Sequence, residues 1–586
     1  MAFYVSLQGN DSFDGSEGKP FKTPARALAA TRQSTEDKTI IIKEGTYEDV
    51  SITLDGQDNG LVIKAEGEVW LSGGKKVQGW SACGDGTYYA VLPEGIKMDF
   101  RMITVNGKFR ERARFPETGR LKHKSSFNSI WMSTTAGGWD IKPTKEQLTT
   151  LKYDPSEIGD SFDWQNAELT VFHKWDDSMS GIAAHDPSKQ EFTLSTELTH
   201  PPGAFHTDSY IAWNTKEGMA NGKWRVDKQK RLLYYMPLEC EDMSVSEVFI
   251  PVHDNIILIN GDMIGVTVEG LGFTATSTPS KACGFGAGEM PGAIESSSED
   301  MVKTAVFTNL RFASISGWGI KLIAGKKNVS DEEACGKKAE TLCTNILIEN
   351  NEITDAGGGG ILVKDQCGCL IRGNKIERIG KIYYSAIGIN VSSSFNCHII
   401  KNELSDLPYT GISVSWGGRR CRIKENKVFN AVNLLNDGGG IYVAMCSDGE
   451  IIGNAVYSIL QKHEEADTTR NGLYLDEQTE GWLVECNLVS GCESAMMNHM
   501  AKNNVIRNNA FVSQDGPVML SFIRCGDYVI EQNAVQSMDT VRFAHKKGSF
   551  VKFGENLLYS GTGKVESIYV NDDYSREEPV TLNPFQ

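Results

Sequence analysis

The sequence predicts an all-β solenoid, a parallel β-helix with an inserted antiparallel β-rich module, and two periodicities carry that prediction. Asparagine recurs at Asn351, Asn374, Asn402, Asn426, Asn454, Asn487, Asn509, Asn533 and Asn556, at intervals of 22 to 33 residues. Short β-branched segments flank it, as in IENNEI, IRGNKI, IIKNEL, IKENKV and IIGNAV. Segments this short are strands rather than helices, and a fixed period of roughly 20–30 residues is that of a stacked coil. The second periodicity lies between the asparagines, where GINVSS (388–393), GISVSW (411–416), GIYVAM (440–445) and GLYLDE (472–477) align on their glycines.

Three parts follow in order. Residues 1–75 read as a cap and the first coils: FYVSLQGNDS opens with a strand and a polar turn, a Pro-entered helix follows Thr23, and KTIIIKEGTYEDVSITL supplies strands. An open solenoid end needs such a cover. Asp11 and Asp14 have calcium-like chemistry, but a turn rich in Asp, Gly and Ser is ordinarily a turn. Residues 76–250 lose the coil spacing. RMITVNGKFRERARFPE, AELTVFHKWDDSMSGIAAHD and GKWRVDKQKRLLYYMPL read as strands of a separate β-rich, sandwich-like module. Residues 251–586 resume the coils and carry the groove, with insertions at 276–300 and 325–340 and a polar loop, QKHEEADTTR (461–470), that is either a lid or a solvated excursion.

The ladder asparagines are expected at coil corners, where Asn tolerates left-handed backbone and stacked amides can bond to one another. That is architecture and not chemistry. The glycine register locates the chemistry. Alternation turns Ile389, Val391, Ile412, Val414, Ile441, Val443, Leu473 and Leu475 into the core. One outward column then holds Asn390, Ser413, Tyr442 and Tyr474, and its neighbour Ser392, Ser415, Ala444 and Asp476. Coils stack about 4.8 Å apart, so stacked tyrosines beside small polar residues and a carboxylate form a groove fit for a sugar.

Asp437, in NDGGGIY, enters one coil and Asp476, in GLYLDE, lies on the next. A separation of roughly 5–10 Å is expected, the range in which two carboxyls cleave a glycosidic bond. A lone Asp beside glycines is ordinarily a turn former; two on adjacent coils beside tyrosines point to catalysis. Glu477 ranks below Asp476 because alternation turns it away. Trp416 is placed either to stack on a sugar or to pack on a loop. His499 falls on the groove in one register and inside in the other. HKWDDS, from His173, is either a surface turn or a segment reaching over the groove.

Bulk properties narrow the partners. A net charge of −17 over 586 residues argues against nucleic acid and anionic membrane. No apolar run approaches a membrane span. The opening MAFYVSLQGNDS lacks the basic start and apolar core of a secretory signal, so a cytoplasmic location is expected unless a leader has been removed. Thirteen cysteines, many inside repeats (Cys343, Cys369, Cys397, Cys421, Cys486), suit small buried hydrophobes better than disulfides. Cys367-Gly-Cys369 lacks the companions of a metal site. No metal or cofactor is called for, and oligomeric state stays open.

The run of YVSLQGNDSFDGSEGKPFKT, EGTYEDV, LSGGKKVQGW, ITVNGKFRERARFPE, YTGISVSWGG, NDGGGIY and GLYLDEQTEGWLVECN resembles the right-handed parallel β-helix glycosidases, glycoside hydrolase family 141 most, and more distantly family 120. The resemblance covers most of the chain and is most specific over 409–487. It implies an α-L-fucosidase, xylanase or β-xylosidase acting on a plant- or host-derived oligosaccharide or glycoside, with Asp437 and Asp476 as catalytic pair. The sequence reading leans toward Asp437 as nucleophile or base and Asp476 as acid. The Arg419-Arg420 pair departs from the small or polar residues expected there. Two alternatives stand beside it: a polysaccharide lyase, for which Arg419, Arg420 and His499 are the basic candidates, and a non-catalytic carbohydrate-binding solenoid.

Overall fold

The structure, a computed structural model, describes residues 2–34, 38–127, 142–159, 162–296, 302–323, 346–460 and 470–581. Cys343, the 325–340 insertion and residues 461–469 of the polar loop lie outside the described residues.

The chain is a right-handed parallel β-helix. Each coil adds two short strands to a 25-stranded sheet and one to a 14-stranded sheet. The asparagine stands between the first two, as Asn402 does between His398–Ile400 and Glu403–Ser405. The third strand carries the glycine register, and Ile389, Ile412, Ile441 and Leu473 pair in order along it, all fully buried. A methyl at Gly440 would lie 2.5 Å from Val456 Cγ1, so the start of this strand has no room for a side chain.

The asparagines form one continuous ladder. The Asn402 backbone N–H and Nδ2 both donate to Asn426 Oδ1, each at 2.9 Å, and Asn402 Nδ2 also donates to the Ile371 carbonyl. The pattern repeats from Asn351 to Asn556, with every member buried. The left-handed residue is not the asparagine itself. It is the residue before: Asn350, Gly373, Lys401, Glu425, Gly453, Cys486, Asn508, Gln532 and Glu555 all have φ between 55° and 68°. That turn frees the asparagine to point inward and use its whole amide.

The described cysteines are free thiols, and Cys369, Cys397, Cys421, Cys446, Cys492 and Cys525 are buried in the coils. Cys486 is instead exposed, because it occupies the left-handed corner outside the core. Asp11 accepts the backbone N–H groups of Lys22 and Thr23, and Asp14 that of Ser16, which is turn chemistry.

Strands between Gly74 and Pro251 build three antiparallel sheets with cores of their own. This module docks on the solenoid through apolar packing, with Phe172 stacked on Tyr384 at 5.4 Å, and through polar contacts. Arg101 donates to the Thr278 carbonyl at 2.9 Å, the Ser385 N–H to Asp177 Oδ1 at 2.7 Å, and Arg120 to the Leu434 carbonyl at 3.2 Å. Among the described residues no helix is long and apolar enough to cross a membrane.

Candidate active site

Asp437 sits on a coil corner with φ 55°, a left-handed conformation that Asp adopts more readily than most residues. Three contacts fix it. The Tyr409 hydroxyl donates to its carbonyl at 3.0 Å, and the preceding Asn436 N–H donates to the Lys174 carbonyl at 3.1 Å. A methyl at the next residue, Gly438, would stand 2.7 Å from the Tyr409 ring, so glycine is required for that ring to pack under the turn. Asp476 ends the strand Asn471–Leu475 on the following coil, its N–H donating to the Val443 carbonyl at 2.7 Å.

The two tyrosines tie to the two carboxylates. Tyr474 donates to Asp437 Oδ1 at 3.2 Å, and Tyr442 to Asp476 Oδ2 at 2.9 Å. Their rings meet edge to face, 5.2 Å apart at 86°, rather than as a parallel stack. Aromatic quadrupoles favour that geometry, and it aims each hydroxyl at a different carboxylate. They position the acids instead of offering an open sugar platform.

His499 takes the outward register, one position past the Leu475–Asn498 pair as Asp476 is. Its Nδ1 lies 2.9 Å from Asp476 Oδ1, and its Nε2 lies 3.1 Å from the hydroxyl of Tyr574, which comes from the C-terminal turn. Burial disfavours the imidazolium, but the bond and charge of Asp476, with the Tyr574 contact, overcome it and lift His499 to about 9. His499 is therefore charged at neutral pH. Asp437 is pushed up, first by burial and then by the Asp476 charge, against the lowering pull of Lys174, His499 and the Tyr474 bond. The two carboxyls thus have different surroundings, Asp437 buried and Asp476 bonded to a histidine.

The remaining candidates spread out. Glu477 lies past the strand end and gives its carbonyl to the Met445 N–H at 2.7 Å. Trp416, 46% exposed at a left-handed corner, lies one position past the Ser415–Ala444–Asp476 column. Arg419 and Arg420 lie beyond that corner. His173 does not face the groove; it is buried at the tip of a hairpin with Asp176 and His200. Its neighbour Lys174 is the part of HKWDDS that reaches Asp437. The outer face is also less open than expected. Asn390, Ser413 and Ser415 are buried, and Phe285 packs near Tyr409 and Tyr442. Asn390 Oδ1, Ser413 Oγ and Ser415 Oγ have no hydrogen-bond partner within the protein. A separate cleft of about 540 Å³, lined by Lys108, Arg110, Glu111, Asp355 and Lys381, includes neither Asp437 nor Asp476; Arg110 pairs with Glu241, Glu111 with Lys223 and Asp355 with Lys381.

Sequence reasoning missed Tyr409, Lys174, Phe285 and Tyr574. Tyr409 stood in the quoted YTGISVSWGG, and its place just before the glycine register was the available signal.

Residues 293–456 match the family described as "Right handed beta helix region", and residues 7–103 one described as "Protein of unknown function (DUF1565)". No curated protein matches the sequence. Among solved structures, one titled "Glycoside hydrolase" is 18% identical with a TM-score of 0.63, covering 87% of this chain and 96% of its own. Another, titled "The complex structure of XylC with xylose", is 14% identical with a TM-score of 0.51, covering 98% of this chain and 88% of its own. At these identities the likeness is one of fold.

Proposed function

We propose that the protein is a glycoside hydrolase in which Asp437 is the general acid and Asp476 the nucleophile or base. One observation carries the reading: two carboxyls on adjacent coils, one pushed toward its protonated form and the other 2.9 Å from a charged histidine. Environments that drive two carboxyls apart are what assign acid and base roles at neutral pH. The assignment reverses the one expected from sequence. Asp437 gives its proton to the glycosidic oxygen as the C1–O bond breaks. Asp476 then either bonds C1, forming a glycosyl-enzyme that water hydrolyses, or takes a proton from the water that attacks C1.

For substrate, the family 141 resemblance favours an α-L-fucoside or a β-D-xyloside, and a xylose complex among structures of this fold agrees with the second. A lyase needs a neutral base, and His499 is protonated and engaged on both nitrogens.

The test compares Asp437→Asn and Asp476→Asn on fucosides and xylosides with good and poor leaving groups. Loss of the acid spares a dinitrophenyl glycoside, whose leaving group needs no proton, and abolishes turnover of an alkyl glycoside. Loss of the nucleophile or base abolishes both, by roughly 10³-fold or more. The opposite pattern reverses the roles. Near-normal turnover in either variant removes that residue from the chemistry, and an unsaturated product absorbing in the ultraviolet from a uronate polymer replaces hydrolysis with elimination.

A further inference from the structure

The inserted module holds a second cluster of reactive side chains. The strands Glu168–Phe172 and Asp177–Asp186 form an antiparallel hairpin whose tip is His173–Asp176, closed by the His173 N–H on the Asp176 carbonyl at 2.9 Å. His173, Asp176 and, from the loop after Glu191–Leu194, His200 each bring one donor atom within 4.8 Å of the other two. Exposure of the three is 2%, 2% and 4%.

We propose that this cluster is a divalent-metal site of the zinc class, with His173, Asp176 and His200 as its ligands. Three features of geometry support it. The first is His173 Nδ1, buried and without a partner in the protein. A buried imidazole nitrogen left without a partner is destabilising, and a metal bond satisfies it. The second is the ring's other nitrogen. Nε2 lies 3.3 Å from Ser178 Oγ, and that hydroxyl is itself fixed by Thr199 Oγ1 at 2.8 Å and the Thr199 N–H at 3.0 Å. Ligating histidines are oriented this way, by an outer hydrogen bond on the nitrogen that does not bind. The third is spacing. His200 Nδ1 stands 3.3 Å from Asp176 Oδ1. A charge-assisted hydrogen bond closes to about 2.7–2.9 Å, whereas two donors on one tetrahedral ion at about 2.0–2.1 Å stand roughly 3.3–3.4 Å apart.

Two imidazoles and a carboxylate are borderline donors, which select zinc, cobalt, nickel or ferrous iron over calcium and magnesium. Trp175 and Phe205 pack on His200, at ring distances of 5.6 and 5.2 Å, giving the site apolar walls. A fourth ligand, water or a hydroxyl, completes the shell. The site's consequence is mechanical: Lys174 lies inside the clamped tip, and its carbonyl receives the N–H beside Asp437. The metal pins that tip without touching substrate.

The test is independent of turnover. Full-length protein, purified without chelator and desalted, is expected to carry close to one equivalent of zinc-class metal. Stripped protein titrated with Co²⁺ is expected to develop the visible bands of a low-symmetry, four- or five-coordinate ion and to saturate at one equivalent. Asp176→Asn and His200→Gln should each lower occupancy by roughly ten-fold or more. Substoichiometric metal in the native protein with no cobalt spectrum overturns the site, as does an unchanged spectrum in the folded variants. If a variant fails to fold by circular dichroism, the native cobalt titration decides alone.

Discussion

His499 sets the charge balance of the site, and its titration is the most direct check on that balance. An ordinary histidine loses its proton near 6.5, and this one is held to about 9. Each unit is 1.36 kcal/mol, so its surroundings favour the charged ring by on the order of 3 kcal/mol. Burial works the other way, with the side chain only 17% exposed, so the gain comes from Asp476 at 2.9 Å and the Tyr574 hydroxyl at 3.1 Å. The sign follows. A group raised on folding stabilises fully below its unfolded value and loses that contribution as pH rises through its folded one. The His499 contribution is therefore complete below about 6.5 and fades as pH climbs through about 9.

The assay is NMR on protein labelled with ¹³C at histidine Cε1, where ten histidines keep the spectrum tractable. His499→Gln identifies the resonance by its disappearance. The native signal is expected to titrate near pH 9, and in Asp476→Asn, with the charged partner gone, near or below 6.5. A native midpoint at or below 6.5 would falsify the ion pair and with it the assignment of different roles to the two carboxyls.

Lys174→Met removes a cation that pulls Asp437 down, so the basic limb of the kcat/KM profile should move to higher pH; a limb that stays or falls contradicts Asp437 as the acid. Asn426→Leu keeps the shape of a ladder rung but strips the acceptor from Asn402 N–H and Nδ2 and the side-chain donor from Asn454 Oδ1 and the Ile399 carbonyl. At about 1–3 kcal/mol per orphaned group it should cost several kcal/mol, read as lost amide-exchange protection in the coils around 402–454. Gly440→Ala drives a methyl to 2.5 Å from Val456 and should cost about 1–3 kcal/mol in denaturant, while Gly417→Ala, at an open corner, costs only the strain of its φ of 90°.

What was legible in the sequence was whatever repeats. Coil pitch is fixed, so aligning four glycines was enough to put Ser413 beside Tyr442 and Tyr442 beside Tyr474, pairs the sheet forms, with Asp476 one position past the Val443–Leu475 pair. The ladder read equally well, apart from the left-handed residue, which a count of asparagines could not assign to the position before. The non-repeating parts did not read. Nothing in the sequence tied Tyr574 to His499 across 75 residues, or His200 to Asp176 across 24, because those contacts depend on how loops fold back. HKWDDS looked like a surface turn because its polarity is that of one, and its burial comes from packing against His200 and Phe205 and from docking of Lys174 and Asp177 on the solenoid.

That division explains how a repetitive scaffold gives two aspartates different chemistry. Stacked coils offer neighbouring residues nearly the same surroundings, and two carboxyls treated alike would share one proton with neither role assigned. Asymmetry has to come from parts that do not repeat. Asp437 leaves the strand register on a corner held by Tyr409 and the Lys174 carbonyl, where burial raises it and the Lys174 charge only partly offsets that. Asp476 stays on the strand, where the next coil supplies His499 and the C-terminal turn supplies Tyr574. The inserted module supplies Lys174 beside one carboxyl, the end of the chain supplies Tyr574 behind the histidine bonded to the other, and the solenoid fixes the height between them.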